Sequence, residues 1–258
     1  MSTAHADVAP DLASVARLLA DGTRAAFCLA LLDRRAWTAT ELARHAGVAP
    51  STASEHLHLL VRGGLLAEER QGRHRYVRLA GPDVADVIES LAAMAGPAPA
   101  ARTMSASGRQ RALAHARTCY DHLAGTLGVA VTDAMVARGL LDAAGGLVLT
   151  AAGAAWLDDV GIAVPTGSRR VAARPCLDWT ERRPHLAGAV GAALCSHALD
   201  AGWVTPVGTT RAVAVTDLGR RELRRHLDLP DAVLSAGQAP RRPPSPRPDL
   251  TETDLAEA

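Results

Sequence analysis

Residues 51–79 read STASEHLHLLVRGGLLAEERQGRHRYVRL, and this stretch decides the fold. Small polar residues open it, and apolar residues then recur at the spacing of a helix. Gly63-Gly64 breaks that spacing, and the residues around Gln71-Gly72 have the pattern of a β-hairpin with a tight turn. The stretch therefore predicts a helix that exposes hydroxyl and imidazole groups, followed directly by an arginine-rich hairpin.

The segments on either side of this stretch predict further helices. Residues 11–33, DLASVARLLADGTRAAFCLALLD, contain apolar residues at helical spacing, with a break at Asp21-Gly22. After the hairpin, DVADVIESLAAM predicts another helix. Its apolar residues on one face are Val84, Val87, Ile88 and Leu91.

The segment TATELARHAG contains signals for both ends of a short helix. Thr38 and Glu41 are three positions apart and form a capping box at its start, and Gly47 ends it. After the short turn VAP, we expect Ser51 to be the N-cap of the next helix.

Two helices joined by a short turn, the second led by small polar residues, form the helix-turn-helix pattern. A helix N-terminus directs N–H groups at phosphate, and short polar side chains allow close approach to base edges in the major groove. Arginines on a neighbouring hairpin reach phosphates or the minor groove. With Leu57, Leu60 and Val61 facing inward, the predicted DNA-binding residues are Ser51, Thr52, Ser54, Glu55, His56, His58, Arg62, Arg73, His74 and Arg75. For His56 a second role is open, as a cap on the helix face against Leu42 and His45.

Residues 15–91 resemble the ArsR family of bacterial winged-helix repressors. The resemblance rests on VARLLADGTRAAFCLALL, on TATELARHAGVAPSTASEHLHLLVRGGLLAEERQGRHRYVRL and on the helix that follows, about a third of the chain. Thr52, Ser54 and His56-Leu57 fall where the family's recognition helix has such residues. The resemblance implies a homodimer, paired through the first and last helices of the domain. Its two recognition helices would enter successive major grooves of a double-stranded operator, about 34 Å apart.

ArsR-like repressors commonly release DNA on binding a metal or metalloid, or on thiol oxidation. The metal-sensing members have a Cys-x-Cys-type motif on the helix before the recognition helix, but TATELARHAG contains no cysteine. The last helix offers Asp83, Asp86 and Glu89 without histidine, so the usual zinc site of carboxylates with two histidines is absent too. We therefore expect any sensing in the C-terminal half.

The C-terminal half contains an internal repeat. HLAGTLGVAVTDAMVARGLL and HLAGAVGAALCSHALDAGWV match each other; an Arg-x-Cys-x-Asp motif precedes each and a Thr-x-x-Gly segment follows each. We expect two related helix–helix–hairpin–helix units, each resembling a degenerate winged helix. The candidate effector or redox residues in the two copies are Cys119, Asp121, His122, Cys176, Asp178 and His185.

Several interpretations of these residues stay open. If the units pack pseudo-symmetrically, Cys119 and Cys176 converge, and a Cys/Cys/His set with an aspartate would bind a soft metal or act as a thiol switch. In a purely structural role the residues would open a helix, and Arg and Asp would form a local ion pair. DNA binding itself requires no cofactor.

The C-terminal units offer two further interpretations. In the first, they bind a small organic effector in a pocket lined by Trp156, Trp179 and Trp203. We expect these tryptophans instead to anchor the core. Alternatively they would bind a protein partner. We expect Cys28 and Cys195 to be packing residues.

Composition and pattern together predict a mainly α protein with small β-hairpins, in which a winged helix-turn-helix is followed by two degenerate winged-helix-like repeats. Apolar residues make up 48% of the chain, but only 3% of residues are aromatic, so Ala, Leu and Val must build the core. The predicted segments are a disordered N-terminus (1–10), the DNA-binding domain (11–96), a linker (97–110), repeat units (111–163 and 164–232) and a disordered Pro-rich tail (233–258).

Charge and motifs limit the function classes. The net charge is only +1, so nucleic-acid binding must come from local patches. We find neither a membrane span nor a signal peptide, and the scattered cysteines form no CxxC pair, so we expect a cytoplasmic, reduced protein. Phosphate loops, G-x-S-x-G and H-E-x-x-H motifs are absent, so we expect no enzyme activity.

Overall fold

The chain is mainly helical with short antiparallel strand pairs, as predicted. The apolar residues form two cores, one in the N-terminal domain and one shared by the two C-terminal units. No helix in the described part of the chain is both long and apolar enough to cross a membrane. The computed structural model describes residues 11–72, 74–95, 104–165 and 170–235; the predicted disordered N-terminus and residues 236–258 of the predicted tail lie outside them.

The N-terminal domain has five helices and a three-stranded antiparallel sheet of order β1-β3-β2 among its described residues. The predicted helices and hairpin are present, whereas the short strand β1, which pairs Trp37 with Val77, was not predicted. In chain order the elements are α1 (Leu12–Leu19), α2 (Gly22–Ala30), β1 (Trp37–Thr38), α3 (Ala39–Ala46), α4 (Pro50–Arg62), β2 (Leu66–Gln71), β3 (His74–Leu79) and α5 (Pro82–Ala95).

The termini of α3 follow the sequence signals, but the start of α4 does not. Thr38 and Glu41 form the reciprocal capping box, and Gly47 ends α3 in the left-handed region at φ 69°. The prediction that Ser51 caps α4 is wrong, because the N-cap is Ala49 and Pro50 is the first helical residue. Proline favours that position, since its fixed φ suits a helix and it lacks an N–H that would need a partner.

The hairpin and α5 each differ in one detail from the sequence pattern. Gln71 pairs with His74, so Gln71 belongs to strand β2 and not to the tight turn predicted at Gln71-Gly72. On α5, Ile88 is buried in the core, whereas Val87 and Leu91 are nearly half exposed. The apolar face predicted for this helix therefore extends beyond the core onto the surface.

The C-terminal half repeats one element order, β-hairpin, helix, β-hairpin, helix, between two flanking helices. The flanking helices are α6 (Met104–His115) and α11 (Asp231–Ser235). The first unit contains β4 (Arg117–Cys119), β5 (His122–Ala124), α7 (Gly125–Ala137), β6 (Leu141–Asp142), β7 (Val148–Leu149) and α8 (Ala151–Val160). The second contains β8 (Arg174–Leu177), β9 (Pro184–Ala187), α9 (Gly188–Asp200), β10 (Val204–Pro206), β11 (Val213–Val215) and α10 (Asp217–Leu227).

This order corrects the predicted helix–helix–hairpin–helix unit, because the Arg-x-Cys-x-Asp motifs lie on hairpins where a helix was expected. Two predicted segment limits also differ, since α6 begins inside the predicted linker and α11 crosses the predicted start of the tail. The units pack reciprocally, with α7 against β9 and α9 against β5, around one core. This packing brings the first hairpins of the two units together.

Candidate functional site

Helix α4 presents a polar face to solvent and an apolar face to the core. Ala53, Leu57 and Leu60 are buried, whereas Val61, also expected to face inward, is only partly buried. Thr52 is half-buried at the edge of the polar face. The predicted DNA-binding residues that are fully exposed on this helix are Ser51, Ser54, Glu55, His58 and Arg62.

His56 is the exception among the residues predicted to contact DNA, because its ring turns toward the protein. Its Nδ1 lies 3.2 Å from Nη1 of Arg24. The other guanidinium nitrogens of Arg24 donate hydrogen bonds to the carbonyl oxygens of Arg17 and Leu18. The ring also lies 3.8 Å from Asp21, the N-cap of α2, and its role as a cap against Leu42 and His45 stays a prediction. Through Arg24, His56 thus links α4 to the end of α1, and its ring is turned away from the outer face of α4.

The hairpin β2–β3 carries cations beside α4, but part of its charge is neutralised within the hairpin. Arg75 forms an ion pair with Glu68, and Arg78 lies 3.7 Å from Glu69. His74 is exposed, whereas Arg73 lies outside the described residues. Since Arg75 has a carboxylate partner, it offers a weaker phosphate contact than the sequence suggested.

Exposed apolar side chains also occur on α1, α2 and α5 of the N-terminal domain. These side chains are well exposed, from 39% for Val15 to 79% for Met94. We define them as the apolar face, formed by Leu12, Val15, Leu29, Val87, Leu91 and Met94.

The predicted effector residues of the two C-terminal copies do converge. Cys119 and His122 are directly opposite each other on the hairpin β4–β5, and Cys176 and His185 are opposite each other on β8–β9. One ligand-type atom from each residue lies within 4.8 Å of the others. We call these four residues the Cys–His cluster; all are buried except Cys176, which is half-buried.

The distances within the cluster are short. The two Sγ atoms are 3.8 Å apart, and Nε2 of His122 is 3.1 Å from Nε2 of His185. A carboxylate lies behind each ring, with Nδ1 of His122 at 3.2 Å from Asp121 and Nδ1 of His185 at 3.3 Å from Asp178. Two thiols and two imidazoles in this arrangement are suited to hold one tetrahedral metal ion or, without a metal, to react with an oxidant.

The two carboxylates are held by arginines that were not among the predicted effector residues. Asp178 accepts a hydrogen bond of 2.9 Å from the fully buried Arg117, and Asp121 accepts one of 3.0 Å from Arg170. The Arg117–Asp178 pair joins the two units, so the local Arg–Asp pair within each motif is not formed. Although burial raises the pKa of each carboxyl, these arginines and further hydrogen bonds bring it below its usual range.

The surroundings of the cluster favour the ionised form of one of its two sulfurs. The hydrogen bond from Cys119 lowers the pKa of the Cys176 thiol well below its usual value, and His122 and His185 add to that lowering against the effect of burial. The same hydrogen bond, together with burial, raises the pKa of Cys119. Burial opposes the charge on His122, yet Asp121 and Cys176 raise its pKa. A thiolate, the form that binds metals, is therefore stabilised inside the cluster.

The remaining cysteines are packing residues, as predicted. Cys28 and Cys195 are buried, and burial raises their pKa values to about 11 and about 12 respectively. Trp203 is part of the C-terminal core, and Trp156 packs against it. The guanidinium carbon of Arg117 lies over the ring of Trp179, 4.6 Å from the ring centroid.

Two ion pairs connect the hairpins of the cluster to α5. Arg174, two residues before Cys176, pairs with Asp86. Arg211 lies 2.6 Å from the buried Glu89 and donates to the carbonyl oxygen of Thr118, next to Cys119. The sequence has no signal for these pairs, because their partners are far apart along the chain.

The N-terminal domain has the architecture of a winged helix-turn-helix DNA-binding protein. A family model for a helix-turn-helix domain matches residues 19–69. The uncharacterized HTH-type transcriptional regulator YdfF of Bacillus subtilis (strain 168) is 40% identical over 223 residues, which cover 85% of this chain and 98% of that protein.

Two solved structures are also similar to the N-terminal domain. The homodimeric winged helix-turn-helix domain of Mb0332 from Mycobacterium bovis, a possible ArsR-family regulator, is 32% identical with a TM-score of 0.32, covering 37% of this chain and 87% of that one. The cadmium metal-sensor CMTR from Mycobacterium tuberculosis is 33% identical with a TM-score of 0.29, covering 35% and 100%.

The chain belongs to the family of HTH-type transcriptional regulators. The prediction of a DNA-binding helix-turn-helix transcriptional regulator is therefore confirmed.

Proposed function

We propose that the protein is a homodimeric repressor that binds a pseudo-palindromic operator and leaves it when an effector binds the C-terminal half. The observation that carries the proposal is the division of α4 into a buried apolar face and an exposed polar face beside a basic hairpin. A helix of this kind fits the major groove, while the hairpin reaches the adjacent backbone. Such a regulator acts in the cytoplasm, and regulation rather than catalysis is its activity.

Self-association is supported by the apolar face on α1, α2 and α5. Exposed apolar patches of this kind mark protein–protein contacts. None of its residues lies on α4, so pairing two domains through this face leaves both copies of that helix available for the two half-sites of an operator.

A small organic molecule is a second candidate effector, and one observation favours it. A cavity of about 490 Å³ lies beside the Cys–His cluster and is lined by charged residues that include Arg34, Asp121, Arg170 and Asp200. An anionic or zwitterionic molecule would suit it. Trp156, Trp179 and Trp203 do not line this cavity, so the aromatic pocket considered from the sequence is not formed there.

Gel-shift titration with the DNA upstream of the protein's own gene tests the proposal. We expect salt-sensitive, sequence-specific binding. Arg62→Ala should weaken binding to operator and unrelated DNA alike and reduce the salt slope by about 1, because phosphate contacts carry no sequence information. His58→Ala should instead change base preference, at a cost of about 1–3 kcal/mol on the operator alone.

Arg138→Ala is the matched control, because it removes an exposed arginine from the C-terminal half. Its binding should equal that of the parent protein. If Arg62→Ala and Arg138→Ala have the same affinity as the parent, α4 does not contact DNA and the proposed interface is wrong.

A further inference from the structure

The Cys–His cluster has the composition and the strand register of a metal site. Cross-strand neighbours in an antiparallel pair have their Cβ atoms about 4.5–5.5 Å apart on one face of the hairpin. Cys119 with His122, and Cys176 with His185, are such pairs. Each hairpin therefore contributes one sulfur and one nitrogen, and the packing of the units brings the two pairs face to face.

The separations agree with four-coordinate zinc. Zn–S bonds of about 2.3 Å at tetrahedral angles imply sulfur atoms about 3.8 Å apart, and Zn–N bonds of about 2.0–2.1 Å imply nitrogens about 3.3 Å apart. The two Sγ atoms are 3.8 Å apart, and the two Nε2 atoms of His122 and His185 are 3.1 Å apart.

The carboxylates behind the rings make a bound cation the natural occupant. Asp121 lies 3.2 Å from Nδ1 of His122 and Asp178 lies 3.3 Å from Nδ1 of His185, whereas the two Nε2 atoms meet at 3.1 Å. Carboxylates beside the ring nitrogen that does not bind the ion are the usual second layer around zinc.

We propose that Cys119, His122, Cys176 and His185 bind one Zn²⁺ ion, and that occupancy of this site lowers the affinity of the N-terminal domain for its operator. Both sulfurs bind as thiolates, so any proton that either sulfur still holds is released to solvent as the two Zn–S bonds form. Zn²⁺ with two thiolates and two neutral imidazoles has no net charge, which suits a buried site. All four positions are filled by protein, so the ion organises structure rather than reacting with a substrate.

The second part of this proposal rests on the proposed function, and the ion pairs on α5 carry it. Arg174 and Arg211 each lie next to a strand that bears a cysteine of the cluster, and they pair with Asp86 and Glu89 of α5. Tyr120, between Cys119 and His122, packs against the N-terminal core. A shift of the two hairpins on metal binding is therefore transmitted to the helix that carries Val87, Leu91 and Met94 of the apolar face.

Metal binding is measured first, without DNA. The full chain, stripped of metal under reducing conditions, is titrated with Co²⁺ and then Zn²⁺. We expect one ion per chain, the visible bands of tetrahedral cobalt with a thiolate charge-transfer band, and displacement of cobalt by zinc. Cys176→Ser and His122→Ala should lose these bands, whereas Cys195→Ala, which removes a buried thiol outside the cluster, should retain them.

Two results would overturn the site. One is a parent chain that binds neither ion. The other is a cobalt spectrum unchanged in both ligand variants. If the metal-free parent instead forms a Cys119–Cys176 disulfide under mild oxidant and still binds no metal, the cluster is a thiol switch and the zinc site is wrong.

Operator affinity is then measured for metal-free and zinc-loaded protein. We expect zinc to weaken operator binding by about 5- to 150-fold, the usual range of allosteric coupling. Glu89→Gln should bind zinc normally but show a smaller difference between the two states. Equal affinities with and without zinc would overturn the regulatory part, whereas absence of operator binding in both states would instead overturn the proposed function.

Discussion

At the scale of single residues, Arg117 is the most constrained side chain of the C-terminal half. It is fully buried, pairs with the buried Asp178 at 2.9 Å, and donates further hydrogen bonds to Leu113 and Thr180. A buried charge of this kind depends on its partner, because desolvation leaves either charge costly when alone. The pair therefore joins the two units and also holds the carboxylate that faces His185.

Arg117→Met keeps much of the side-chain volume but leaves Asp178 buried without its main counter-charge. We expect the free energy of unfolding to fall by about 3–5 kcal/mol. Denaturant unfolding followed by circular dichroism measures the change. Arg183→Met, which breaks an exposed pair with Asp133, is the control and should cost less than about 1 kcal/mol. Similar losses in the two variants would contradict the structural role of Arg117.

In the C-terminal half, candidate functional residues could be predicted from the sequence because the two repeat copies could be compared. The matching Arg-x-Cys-x-Asp and His-Leu-Ala-Gly segments singled out the cysteines, histidines and aspartates that meet in the Cys–His cluster. The strand register that pairs each cysteine with a histidine could not be predicted, because the motif was expected to begin a helix. His56 was ambiguous for a different reason, since its contact with Arg24 depends on the packing of α2 against α4.

At the scale of elements, the repeated Thr-x-x-Gly segments form the same cap at two helix starts. Thr150 and Thr216 each accept a hydrogen bond from the N–H of the glycine three positions on. Each hydroxyl also donates to the carbonyl oxygen of a glycine that precedes the second hairpin, Gly139 or Gly202. The sequence identified these landmarks as a repeat, and the structure shows that they lock each second hairpin onto its helix.

Gly219 has no space for a side chain, because a Cβ there would lie 1.9 Å from the carbonyl oxygen of Trp203. Gly219→Ala should therefore lower the free energy of unfolding by about 1–3 kcal/mol, although alanine is the better helix former. Gly108→Ala, in the open interior of α6, is the control and should raise it by about 0.5–1 kcal/mol. Thermal unfolding of both variants measures the difference, and a stabilised Gly219→Ala protein would show that the close contact is absent.

Helices with strong periodicity and caps were predictable, and the elements decided by distant contacts were not. α3 has a capping box and a terminal glycine, and its bounds followed from them. Strand β1 has only two residues and exists because Trp37 pairs with Val77, forty positions further on. The hairpins β4–β5 and β8–β9 have strands of only three and four residues, and their first strands carry the cysteines that meet across the two units.

At the scale of the whole molecule, α5 carries two different surfaces on one helix. Val87, Leu91 and Met94 belong to the exposed apolar face, while Asp86 and Glu89 are paired with arginines of the C-terminal half. The helix therefore lies between the proposed dimer contact and the Cys–His cluster. The helical pattern of its sequence indicated the apolar face, whereas its ion pairs with Arg174 and Arg211 could not be predicted from that pattern.

Introducing charge into the apolar face should separate the proposed dimer. We expect the double variant Leu91→Glu, Met94→Glu to be monomeric at concentrations where the parent is dimeric, because each carboxylate would have to be desolvated in the contact. Sedimentation velocity measures the mass, and operator affinity should fall with it. Val148→Glu, an exposed apolar position of the C-terminal half, is the control. A dimeric double variant would show that the chains associate elsewhere.

The distribution of the four cluster residues over two hairpins has one more consequence. A fragment that contains a single unit possesses one sulfur and one imidazole, half of a coordination sphere, and holds an ion firmly only by joining a second fragment. Each repeat unit thus supplies half of the cluster within one polypeptide. Completion of the four-residue cluster is therefore intramolecular, and it does not depend on protein concentration.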